Sequence, residues 1–65
     1  MVKKIEWYSP NGKYKILARL FEDKSYHVTC FTFSDGRFSV TSKRKLPKYV
    51  LEKMAELESE LIKHE

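Results

Sequence analysis

The sequence predicts an α+β domain: a four-stranded antiparallel β-meander with one C-terminal helix packed on one face, ββββα. Three observations carry this expectation. Tyr26 to Thr41 holds two β-rich runs that meet at Asp35-Gly36, a dipeptide that accepts the positive φ angles of a two-residue hairpin turn. Two more alternating runs precede it, each ended by turn formers, and the last third of the chain switches to helical spacing. At 65 residues, with no internal repeat and no linker, the chain reads as one domain, 1–65, with a meander over 2–43 and a helix from about 47 to 64.

Val2 to Tyr8 alternates as a strand, with Ile5 and Trp7 on one side and Lys4, Glu6 and Tyr8 on the other. Ser9-Pro10-Asn11-Gly12 stacks four turn formers, and an even-length loop sets Trp7 opposite Tyr14 or Ile16, apolar in either case. Lys13 to Glu22 places Tyr14, Ile16, Ala18 and Leu20 on one face and Lys13, Lys15, Leu17, Arg19 and Phe21 on the other. A two-residue reversal at Asp23-Lys24, closed by Glu22 and Ser25, then pairs Ile16 with Phe31 and Tyr14 with Phe33. Closing the next hairpin at Asp35-Gly36 sets Ser34 against Arg37, Phe33 against Phe38 and Phe31 against Val40. This register predicts a core face of Trp7, Ile16, Phe31, Phe33 and Phe38. His27 falls on that side beside Leu20, and Cys30 falls on the polar side as a small, semi-buried hydrophobe.

Ser42 to Leu46 reads as a short basic connector, and Pro47 suits the first helical turn, where its missing N–H costs nothing. Beyond it Val50, Met54, Leu57 and Leu61 form one stripe that covers the sheet. Leu51, Ala55 and Ile62 make a shoulder about 100° round the helix. The shoulder is expected either to pair with a second copy in a homodimer or to be covered by the first strand or the connector. Glu52, Glu56, Glu58 and Glu60 form a solvated helix surface.

The net charge is +4, and it is unevenly placed. Residues 1–45 hold ten Lys/Arg against four Asp/Glu, a balance of +6, whereas residues 46–65 hold three against five, a balance of −2. Cys30 is the single cysteine, so no intramolecular disulfide forms, and His27 and His64 stand on different elements, which leaves no zinc set. No metal or other cofactor is expected. No nucleophile, base and acid stand at catalytic spacing and no Gly-rich phosphate loop occurs, so the chain is not expected to be an enzyme. No apolar run approaches the ~18 residues of a membrane span and no signal-peptide core opens the chain, which predicts an intracellular, cytoplasmic protein.

With the helix on the apolar face, the opposite face stays open. It is expected to present Lys4, Lys13, Lys15, Arg19, Arg37 and Lys43 interleaved with Tyr8, Leu17, Phe21 and Tyr26, cations for phosphates and rings for stacking. Lys43-Arg44-Lys45 adds a second basic cluster at the sheet edge. The function that follows is a small basic nucleic-acid-binding module, DNA favoured, of the kind found in transcription or genome-associated factors. Lys13, Lys15, Arg19, Arg37, Lys43, Arg44 and Lys45 would meet phosphates or base edges, and Phe21 and Tyr26 would stack. The alternatives are an ordinary solvated sheet face and a protein-interaction module, an inhibitor or accessory subunit, docking on an acidic partner. The architecture resembles small domains that pack one helix on an antiparallel sheet and use the other face for DNA, the integrase-arm type among them, and it is also similar to a small single-strand-binding type. Gly12-Lys13-Tyr14-Lys15-Ile16 is similar to the Gly-Lys-aromatic strand opening found in the first group. The resemblance is one of topology and assigns no residue roles.

Overall fold

The computed structural model describes residues 2–63, so the helix end expected at His64 lies outside the described residues. Strands β1 (Lys3–Tyr8), β2 (Tyr14–Leu20), β3 (Tyr26–Ser34) and β4 (Arg37–Val40) form one antiparallel sheet in chain order. A single 3₁₀ turn over Lys43–Lys45 leads into helix α1 (Lys48–Lys63), completing the ββββα fold that the sequence predicts.

Local chemistry explains the first and last hairpins. At the first, Ser9 is buried but fully used: its Oγ accepts from the Tyr14 N–H at 3.0 Å and donates to Asn11 Oδ1 at 2.6 Å. Asn11 Oδ1 also accepts from the Lys13 N–H, and Gly12 takes a φ of 73° that a side chain would resist. Trp7 consequently lies opposite Ile16. At the last, Asp35 and Gly36 both have positive φ, 53° and 80°, and the pairing is Ser34 with Arg37, Phe33 with Phe38 and Phe31 with Val40, as expected.

The middle hairpin differs from expectation by one residue. Ile16 lies opposite Cys30 rather than Phe31, and Tyr14 opposite Thr32 rather than Phe33. The step is taken up in the loop. Phe21 and Ser25 close a three-residue turn of Glu22, Asp23 and Lys24, in which Lys24 takes the left-handed conformation at φ 70°. Asp23 holds the turn by accepting from both the N–H and the hydroxyl of Ser25, which also keeps its carboxyl below its ordinary range. Because side chains alternate with period two, a single step turns every residue of β3 and β4 over. Phe31, Phe33 and Phe38 therefore leave the core face, and so does His27. Cys30 enters it.

Beneath α1 the core consists of Ile16, Ala18, Leu20 and Cys30 from the sheet, Leu46 from the connector, and Val50, Met54, Leu57 and Leu61 from the helix. Ile5, Trp7, Tyr14 and Val28 pack around it half-buried. The helical stripe is the one that the spacing predicts. Each large side chain so buried contributes about 1.5–3 kcal/mol, which is why α1 forms here although its outer face is polar. Pro47 stands just before the helix, its carbonyl accepting from the Val50 and Leu51 N–H groups at 3.1 Å. The Cys30 thiol meets the Met54 sulfur in the core, and burial pushes its pKa up.

Candidate nucleic-acid interface

The face turned away from α1 carries no covering element among the described residues. Strand register arranges it in rows that run across the sheet. One row is Tyr8, Lys15, Phe31 and Val40, flanked by Phe33 and Phe38. The next is Glu6, Leu17 and Thr29; the third is Lys4, Arg19 and His27. The face thus has an aromatic end and a cationic end.

At the aromatic end Phe38 stands edge-on to both neighbours, 6.0 Å from Tyr8 and 5.1 Å from Phe33 between ring centroids. Tyr8 is 51% exposed and Phe33 43%. The Lys15 ammonium sits among the rings, 5.5 Å from the centroid of Tyr8, 5.4 Å from that of Phe31 and 5.9 Å from that of Phe38. Glu6 is the acid of this field. It pairs with Lys4 at 3.3 Å and Lys15 at 3.7 Å, and the Lys4 hydrogen bond and charge hold its carboxyl below the usual range. Solvent around Glu6 screens both pairs, so an incoming anion can compete for the lysines.

At the cationic end the Arg19 guanidinium lies 5.8 Å from the Phe21 ring centroid, and its Nη2 donates to His27 Nδ1 at 3.3 Å. Thr29 Oγ1 is 3.2 Å from the same nitrogen. Arg19 Nε is buried without a hydrogen-bond partner. With Nε buried, the terminal nitrogens of the guanidinium beside the Phe21 ring are the part equipped for phosphate.

The sequence-predicted residues do not all meet. Lys15 and Arg19 share the open face, Phe21 lies just past the end of β2 beside Arg19 and also lines the recess at the helix end, and Lys13 borders the face, its carbonyl bonded to the Phe33 N–H at 2.7 Å. Tyr26 and Arg37 were expected there but lie on the helix side, because the one-residue step inverts their strands. Tyr26, opposite Leu20, lines an apolar recess with Leu61 and Ile62 at the far end of the helix, and Phe21 faces Ser25 rather than Tyr26. Lys43, Arg44 and Lys45 form an exposed cluster on the 3₁₀ turn, off the open face. Leu51, Ala55 and Ile62 are exposed, so neither β1 nor the connector covers the shoulder among the described residues.

Sequence reasoning missed Phe31, Phe33, Phe38 and His27 as surface residues. A signal existed in Asp23-Lys24-Ser25, since an Asp that accepts from the N–H two residues on favours its own turn over a two-residue tip at Asp23-Lys24. No group of His, Cys, Asp and Glu able to hold a metal ion occurs among the described residues. Comparison of the chain with protein-family models, curated proteins and solved structures finds no match.

Proposed function

We propose that this protein binds nucleic acid through the open face of its sheet, with Lys4, Lys15 and Arg19 meeting phosphates and Tyr8 and Phe33 offering rings to bases or sugars. The observation that carries the reading is Lys15. Its ammonium stands in the middle of the aromatic cluster with only 23% of its side chain exposed. A protein partner covering these rings would have to bury that charge, and protein interfaces are depleted of lysine at their centres for this reason. A polyanion lays phosphates across the same spot and keeps the lysine paired. The basic 3₁₀ cluster, Lys43 to Lys45, adds exposed positive charge that aids long-range attraction.

The test is fluorescence anisotropy of labelled nucleic acid titrated with the protein at several salt concentrations. Affinity should fall steeply with salt, and Lys15→Gln/Arg19→Gln should lower both the affinity and the salt slope. Binding that is absent, or flat in salt and indifferent to the double substitution, rejects the proposal.

A further inference from the structure

Resting on that reading, we infer that the ligand is an unpaired strand rather than a duplex. The rings of the open face come from three strands, Tyr8 on β1, Phe31 and Phe33 on β3 and Phe38 on β4, and they close into one compact cluster, with Phe38 6.0 Å from Tyr8 and 5.1 Å from Phe33 between centroids. A cluster of this kind offers ring surface, which bases held between their neighbours in a duplex do not reach.

A second argument comes from the chemistry of the face. Reading base edges in a groove needs amide or guanidinium forks, whereas the exposed groups at this end are Tyr8 and Phe33 around the Lys15 ammonium, which is a point charge. Rings contribute by stacking, and a base offers its flat side only when it is unpaired and splayed from its neighbours. The arrangement therefore fits a strand lying across β1 to β4. Bases would sit on Tyr8 and Phe33, one phosphate beside Lys15, and the next stretch of backbone toward Arg19 and Lys4. Stacking of this type is tolerant of sequence, so little discrimination among bases is expected.

The experiment measures anisotropy of labelled oligo-dT and oligo-rU of about twelve nucleotides, within the range one small module covers, and of a mixed-sequence DNA duplex of equal length. All are read in one buffer. The expected result is affinity for at least one unpaired strand about tenfold or more above the duplex. The two oligomers separate DNA from RNA. Tyr8→Leu/Phe33→Leu keeps apolar bulk on the surface while removing both rings, and its fold is checked by Trp7 fluorescence in urea. It should weaken strand binding by about tenfold and leave duplex binding within about twofold. A duplex bound as tightly as the strands, or strand affinity unchanged by the loss of both rings, overturns this inference and leaves the nucleic-acid reading standing. If neither strand nor duplex binds, both fall, and a search for an acidic protein partner is the course that remains.

Discussion

Beneath α1 the sheet offers Ile16, Ala18 and Cys30, two of them small, whereas its opposite face carries Phe31, Phe33, Phe38 and Tyr8 and yet is left to solvent. Bulk apolar content does not decide which face is buried. The covered face is free of charge at its centre and shallow enough for the Val50, Met54, Leu57 and Leu61 stripe to settle onto it. On the other face Lys15, paired with Glu6, and Arg19 stand beside the rings, and a covering apolar stripe would have to take these charges out of water, a desolvation cost that the covered face does not incur. Interleaved charge is what keeps the aromatic face open.

The contrast should be sharpest in stability. Ile16 is fully buried, so Ile16→Ala should cost about 2–5 kcal/mol and leave a chain of this size close to unfolded. Phe33→Ala, at an exposed ring, should cost about 1 kcal/mol or less. Urea denaturation followed by Trp7 fluorescence measures both, and comparable losses would mean that the open face is structural. In binding the order reverses. Lys15→Ala should weaken nucleic acid by about tenfold, whereas Arg37→Ala, on the helix side, should change it by less than about twofold in the same anisotropy assay. Equal losses would erase the distinction between the faces.

Cys30 probes the covered face from within. Its thiol should react with a thiol reagent at least about a hundredfold more slowly in the native protein than in denaturant, because access requires opening of the core. Burial raises its pKa, so the stabilisation linked to the neutral thiol is complete below the ordinary thiol range and is lost as pH rises through the raised value. Stability should accordingly decline on the alkaline side, and Cys30→Ala should flatten that decline; an unchanged alkaline limb in the variant would contradict the assignment.

The smallest effect expected is at the loop that sets the contrast. Asp23→Asn/Lys24→Gly installs the strongest two-residue turn signal, yet Gly also suits the φ of 70° at position 24, so stability should move by about 1 kcal/mol or less. Cross-strand contacts by nuclear magnetic resonance should still place Ile16 opposite Cys30. A switch to Ile16 opposite Phe31 would show that the loop, not the core, holds the register.

Several features were determined by the sequence alone, because each rests on interactions between residues close in the chain. The four strands follow from period-two alternation, the first and last hairpins from Ser9-Pro10-Asn11-Gly12 and Asp35-Gly36, and the helical stripe from the spacing of Val50, Met54, Leu57 and Leu61. Lys15 and Arg19 reached the open face as expected, since they belong to β2, whose facing is fixed by its own alternation. Tyr26 and Arg37 did not, because their facing depends on the register between β2 and β3. At that joint two turns differing by one residue are both locally reasonable, and the choice depends on what packs beneath the helix. The tertiary structure made it: Cys30 meets Met54 in a core shared with Ile16 and Ala18, and the period-two alternation then carries the three phenylalanines to the open face beside the cations.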